Sequence, residues 1–165
     1  MDSIVLCGFM GSGKTTVSRL LAQKLGCRAF DLDEYIVENE RRSVKQIFEE
    51  DGEDYFRKRE HELLLEILKE DAVLATGGGT PLREDNRMAM KNARVPVVLL
   101  EASSKETFER LQGDDTRPLA AGLNETSLGN LKNQRRQAYE ECADYSIKTD
   151  GMTPLEITEK ISKLL

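Results

Sequence analysis

The stretch Gly8-Phe9-Met10-Gly11-Ser12-Gly13-Lys14-Thr15 decides how this chain is read. It satisfies G-x-x-x-x-G-K-[ST], and it stands where that pattern has physical meaning. A short apolar run at residues 3–6 precedes it, and an amphipathic run over 14–25 follows, with Val17, Leu20, Leu21 and Leu25 on one face. A polyphosphate needs several backbone N–H groups aimed inward. Glycine lets the main chain curl tightly enough to supply them, and the N-terminus of the following helix adds partial positive charge. Lys14 then brings a mobile ammonium for the β and γ phosphates, and Thr15 a hydroxyl ligand for Mg²⁺.

Outward from this loop, apolar runs alternate with helical stretches. Residues 28–30 lead into Asp31-Leu32-Asp33, and helical stretches at 43–50 and 53–69 are divided near Gly52. The run 72–76 stops at Gly77-Gly78-Gly79. A helix is expected at 84–92, a buried strand at 97–100, the most apolar segment of the chain, and a helix at 105–111. Residues 112–124 are polar and turn-rich and read as a mobile loop. A long helix at 125–142, a short strand at 145–148 and a terminal helix led by Pro154 complete the chain. Five short strands separated by helices imply an α/β fold, a parallel sheet covered on both faces in three αβα layers. No repeat or linker divides the 165 residues, which suit a single domain over 1–165.

Composition narrows the partners. With 24 Lys and Arg against 30 Asp and Glu, the formal net charge of −6 argues against general binding to nucleic acid or an anionic membrane. An anionic ligand must therefore be held by a local cluster of positive groups. No apolar stretch approaches a membrane span, and the N-terminus lacks the pattern of a signal peptide, so a cytoplasmic protein is expected. Cys7, Cys27 and Cys142 show no C-x-x-C spacing; they read as buried or half-buried apolar residues, suited to a reducing compartment.

A phosphate loop alone leaves ATPases, GTPases, kinases and inert binding modules open. No N-K-x-D guanine-reading tetrapeptide occurs. Glu101 ends an apolar strand, as the acid of an ATPase would, but Ala102-Ser103-Ser104-Lys105 after it is an ordinary helix-capping sequence. Better acids lie upstream. Asp31 and Asp33 stand two residues apart at a strand end, a spacing that turns both to one side if the strand continues; Asp33 could also cap a helix beginning at Glu34. Arg57 and Glu60 lie i, i+3 on one helix, where a surface ion pair is the ordinary outcome. The glycine triplet bares the backbone, as close approach of a ligand requires. His61 reads as a solvated helical residue.

Taken in order, these elements resemble the shikimate kinase family along nearly the whole chain. The resemblance is carried by G-F-M-G-S-G-K-T, Asp31-Leu32-Asp33, Gly52-Glu53, Phe56-Arg57-x-x-Glu60, Gly77-Gly78-Gly79, Arg117-Pro118-Leu119 and Arg135-x-x-x-Tyr139. It implies the fold of nucleoside-monophosphate kinases: a five-stranded parallel sheet in order 2-3-1-4-5, a substrate-binding helical region at about 33–61 and a lid at about 112–124. It also implies an activity, transfer of the γ-phosphoryl group of ATP to the 3-hydroxyl of shikimate, in aromatic amino-acid biosynthesis.

The same resemblance implies roles. Gly11, Ser12, Gly13, Lys14, Thr15 and Thr16 would bind ATP, with Arg110 and Pro154 sandwiching adenine. Thr15 and Asp31 would serve Mg²⁺. Arg57 and Arg135 would clamp the substrate carboxylate, for which a planar guanidinium fork is suited; Tyr139 four residues on selects Arg135 over Arg136. Glu60 would hold Arg57, and Gly77, Gly78 and Gly79 would face the substrate. Asp33 would orient or deprotonate the attacking hydroxyl, with Lys14 and Arg117 completing the catalytic set. Shikimate and ATP are the implied partners of a monomer. Two alternatives remain at this level: another small-molecule kinase of the same fold, such as a gluconate kinase, and a noncatalytic nucleotide-binding module.

Overall fold

The computed structural model describes residues 3–8, 13–103 and 125–165. Five strands form one sheet: β1 (Ile4–Cys7), β2 (Arg28–Asp31), β3 (Ala72–Ala75), β4 (Val97–Glu101) and β5 (Tyr145–Lys148). Their spatial order is β2-β3-β1-β4-β5 and every pairing is parallel, as the sequence led us to expect. Six α-helices connect them among the described residues: α1 (Lys14–Leu25), α2 (Leu32–Glu40), α3 (Val44–Ile67), α4 (Glu84–Asn92), α5 (Glu125–Cys142) and α6 (Pro154–Leu164).

Alternation along the strands builds a core on each face. Ile4 and Leu6 of β1, with Val98 and Leu100 of β4, pack toward Val17 and Leu21 of α1 and Ile157 and Ile161 of α6. Val5, Cys7, Val97 and Leu99 point the other way, onto Leu32, Ile36, Phe56, Leu63, Met90 and Tyr139. Strands apolar on both faces need a helical layer on each side, which gives the αβα sandwich.

Local sequence fixes the helix ends. Thr153 and Glu156 form a reciprocal capping box behind Pro154, and Ser43 and Gln46 do the same for α3. Within α3, Gly52 stands at φ 88°, ψ 172°, so the element is two helical segments broken at the residue where the sequence divides them. Asp31 corrects one expectation. It caps α2 by accepting a hydrogen bond from the Glu34 backbone, and Asp33 lies in the helix's first turn rather than on an extended strand. The helix thus begins two residues earlier than a cap at Asp33 would give, because Asp31 already supplies the acceptor that the free N–H groups require.

No described helix is long and apolar enough to cross a membrane.

Candidate active site

The C-terminal ends of β1, β2 and β3 deliver Gly8, Asp31 and Gly77 to one edge of the sheet. There β1 pairs with β3 on one side and β4 on the other. Open α/β sheets bind ligands at such edges.

At the first of these ends, Gly13 adopts a left-handed conformation, φ 89°, and opens α1 with no side-chain cap on its N-terminus. The first turn of α1 carries no acid, which leaves its N–H groups and dipole suited to an anion. Lys14 is 7% exposed and its Nζ donates to the Gly8 carbonyl at 2.8 Å, so the ammonium is turned back toward the end of β1. Thr15 Oγ1 donates to Asp31 Oδ2. That contact joins the two residues assigned to Mg²⁺ from sequence. One carboxylate and one hydroxyl are oxygen donors of the kind a largely hydrated Mg²⁺ accepts. Thr16 is exposed beside them.

The second cluster hangs from the end of β3. Glu60 of α3 is wholly buried, and both its oxygens meet Arg57 Nη1, at 3.0 and 3.2 Å. Burial pushes the Glu60 carboxyl above its ordinary range, Arg57 opposes that rise, and Asp33 adds to it. The Arg57 guanidinium lies flat against Gly79, where a Cβ would stand 2.6 Å from Nη2. At Gly77 a Cβ would stand 2.9 Å from Asp33 Oδ1 and 3.3 Å from Glu60 Oε2. The glycines at 77 and 79 thus make room for three of the protein's own charged side chains. Sequence reasoning saw space for a ligand there; the structure shows that Asp33, Glu60 and Arg57 occupy it.

Across the triplet, Tyr139 of α5 donates to the Gly78 carbonyl at 2.7 Å. Burial pushes its phenol up to about 12, against the pull of Arg135 and of Arg57. Both arginines therefore bear on one hydroxyl. Arg135 is 7% exposed, whereas Arg136 faces outward and lines a hollow of about 330 Å³ with Asn133, Tyr139, Lys148 and Asp150.

Cys142 Sγ donates to Met90 Sδ at 4.0 Å, and the neighbouring Cys142 thiol together with burial pushes Cys7 up. Cys7 and Cys142 are buried and Cys27 half-buried, as expected, and all three are free. Pro154 is exposed in the first turn of α6. Gly11, Ser12, Arg110 and Arg117 lie outside the described residues, as do the expected helix at 105–111 and the loop at 112–124.

Two further residues were not singled out from sequence. Thr80 and Asn86 are both wholly buried, Thr80 Oγ1 donating to Glu60 Oε2 at 3.0 Å and Asn86 Nδ2 to the Thr80 carbonyl at 3.0 Å. Their only sequence signal is position, a hydroxyl directly after the glycine triplet and an amide six residues on. His61 also departs from its reading as a solvated residue. It is half-buried, with Nδ1 at 2.6 Å from Asn86 Oδ1 and at 3.6 Å from Asp85. The first turn of α4 comes to rest against it, which the sequence around His61 does not reveal.

A helix N-terminus with no side-chain cap, opened by a lysine that follows Gly13 and by a threonine–aspartate pair, suits a phosphate-loop kinase. A family model described as shikimate kinase matches residues 10–165. A shikimate kinase of Limosilactobacillus fermentum is 44% identical over 164 residues, spanning 99% of this chain and 95% of that one. Another, of Enterococcus faecalis, is 41% identical, spanning 100% of this chain and 99% of that one. Among solved structures, the shikimate kinase of Acinetobacter baumannii in complex with shikimate matches with a TM-score of 0.95 at 38% identity, covering 99% of this chain and 92% of that one. The enzyme of Aquifex aeolicus matches with a TM-score of 0.84 at 34% identity, covering 98% and 94%. This chain belongs to the shikimate kinase family, an ATP-dependent kinase with ATP as co-substrate.

Proposed function

We propose that this single-domain enzyme transfers the γ-phosphoryl group of ATP to the 3-hydroxyl of shikimate, and that the two clusters at the sheet edge divide the work. The observation that carries the reading is the Arg57–Glu60 pair seated on Gly79, with the buried Arg135 acting on the Tyr139 hydroxyl that bonds Gly78. Two guanidiniums beside one glycine triplet suit a small carboxylate, for which a bare nucleotide module gives no reason, and a gluconate-type kinase need not keep Phe56-Arg57-x-x-Glu60 or the triplet.

In this reading the nucleotide's phosphates take up the uncapped end of α1, and Lys14 exchanges the Gly8 carbonyl for phosphate oxygen. Thr15 and Asp31 would hold Mg²⁺, which when bound neutralises charge on the phosphates. Arg57 and Arg135 hold the shikimate carboxylate and so fix the ring. Asp33, at the mouth of α2 beside Gly77, accepts the hydrogen of the attacking hydroxyl and turns its lone pair toward the γ-phosphorus. The bond from that oxygen to phosphorus forms as the bond to the ADP oxygen breaks, and the hydroxyl proton leaves through Asp33. By resemblance to the family alone, Arg117 stabilises the charge of the transferring group and Arg110 and Pro154 hold adenine. The same resemblance supports a monomer acting in the cytoplasm, with a substrate-binding region at about 33–61.

A coupled assay of ADP release across a panel of hydroxy acids and polyols tests the proposal. The expected outcome is turnover that needs shikimate and Mg²⁺ together. Rapid turnover with gluconate and none with shikimate would overturn it.

A further inference from the structure

The contacts behind Arg57 close into a ring. Glu60 accepts from Thr80 Oγ1, the Thr80 carbonyl accepts from Asn86, Asn86 Oδ1 meets His61, and His61 is Glu60's chain neighbour. Two further bonds tighten it: Thr80 N donates to the Gly77 carbonyl at 3.2 Å, and Leu82 N to that of Gly79 at 3.1 Å. Glu60, Thr80 and Asn86 have no solvent exposure. Within this ring the Glu60 carboxylate has two kinds of donor, the Arg57 guanidinium and the Thr80 hydroxyl. Arg57 itself is bounded on one side by Glu60 and on another by Gly79, the residue before Thr80.

We infer that Thr80 is a positioning residue for carboxylate recognition: its hydroxyl fixes the Glu60 carboxylate in the orientation that presents the Arg57 guanidinium to the substrate. The inference rests on the reading of Arg57 as the carboxylate clamp. The physical ground is satisfaction of a buried charge. Without the hydroxyl, Glu60 Oε2 loses a donor in a place water does not reach, and the carboxylate turns further onto Arg57 to recover it. The fork then points away from the ligand. Asn86 enters as the anchor that holds the Thr80 backbone to α4.

The test uses the isosteric Thr80→Val, the conservative Thr80→Ser and the smaller Thr80→Ala, each with shikimate and with its carboxamide analogue. Loss of one charge-assisted hydrogen bond predicts that Thr80→Val raises the shikimate KM on the order of 10-fold. The ATP KM and kcat should stay within about twofold, the margin left when an interaction outside the reacting atoms is removed. Thr80→Ser should restore the wild-type KM, and the preference for shikimate over the carboxamide should fall in Thr80→Val by the same factor as affinity. Should Thr80→Val not fold, Thr80→Ala reads the same quantities. An unchanged carboxylate preference in the folded variant, equal losses for shikimate and ATP, or failure of serine to rescue would each overturn the inference. Arg57→Ala separates the two layers. If it leaves the preference for the carboxylate intact, the clamp reading fails; if it abolishes the preference while Thr80→Val does not change it, only the role of Thr80 fails.

Discussion

Glu40, at the end of α2, and Glu60, in the middle of α3, both gather arginine and hydroxyl donors, and their surroundings drive them in opposite directions. Glu40 accepts from Arg42 at 2.8 Å, from Tyr55 at 3.0 Å and from Arg59 at 2.9 Å. Its side chain keeps 10% of its surface, and the Arg42 bond, with Tyr55 and Arg59 behind it, holds its carboxyl below the ordinary 4.5. Glu60 keeps none, and burial pushes its carboxyl above that value although Arg57 and Thr80 pull it down. The first cluster ties two helices together at the surface. The second spends its ion pair on holding an arginine still beside an opening. Similar residue types thus build a brace in one place and, in the proposed reading, a receptor in the other, and the difference is made by what water reaches.

The comparison breaks most visibly when Glu60 is truncated. Glu60→Ala strands Arg57 beside an emptied buried site, and the loss expected is about 3–5 kcal/mol of stability, with kcat/KM for shikimate down on the order of 100-fold. Denaturant unfolding together with steady-state kinetics measures both, and a variant with normal stability and normal turnover would contradict the receptor role. Next come the arginines themselves. Arg57→Ala and Arg135→Ala should each weaken shikimate binding on the order of 10- to 100-fold while ATP binding stays near wild type. Calorimetric titration with each ligand separates that result from a damaged fold, which would weaken both.

The brace should respond differently. Glu40→Gln is expected to leave shikimate kinetics unchanged and to lower Tm by roughly 2–4 °C, the scale of about 1 kcal/mol in a domain of this size. A large fall in activity with little change in Tm would erase the distinction. The smallest effect is one of sign. Glu40 ionises more readily in the folded chain, so its contribution is present above the ordinary 4.5 and fades as pH falls below it. Glu60 holds its proton in the folded chain where the unfolded chain has released it, so ionising it costs stability as pH rises above 4.5. Urea unfolding between about pH 3 and pH 7 should therefore show the stability difference between wild type and Glu40→Gln growing with pH. For wild type against Glu60→Gln it should shrink as pH rises.

The same contrast explains what could be read in advance. The sheet, its order and the phosphate loop were legible because their signals are local or carried by the family resemblance: apolar runs, a glycine-rich turn, and a helix opening directly on Lys14. Arg57 and Glu60 were legible as a pair because one helical turn joins them. Thr80 and Asn86 were not, since their partners lie 20 and 25 residues away on another element and only the folded chain brings them together. Asp33 was placed on the wrong element because its neighbour Asp31 is an equally good cap, and two candidate acids so close in sequence do not say which of them begins the helix. The triplet was recognised as a close approach, but whether ligand or protein fills the space depends on α2 and α3.

The break at Gly52 is a matter of handedness rather than of room. Apart from the adjoining backbone, no atom lies within 4 Å of where a side chain would begin, so no neighbouring element pushes a larger residue out. The obstacle is the backbone itself, at φ 88°, ψ 172°, a region that amino acids of the L series avoid because their own Cβ collides with their own main chain. The bend that separates 44–51 from the segment carrying Phe56, Arg57 and Glu60 is therefore enforced by the stereochemistry of one achiral residue, and an alanine there would strain the bend without touching a neighbour.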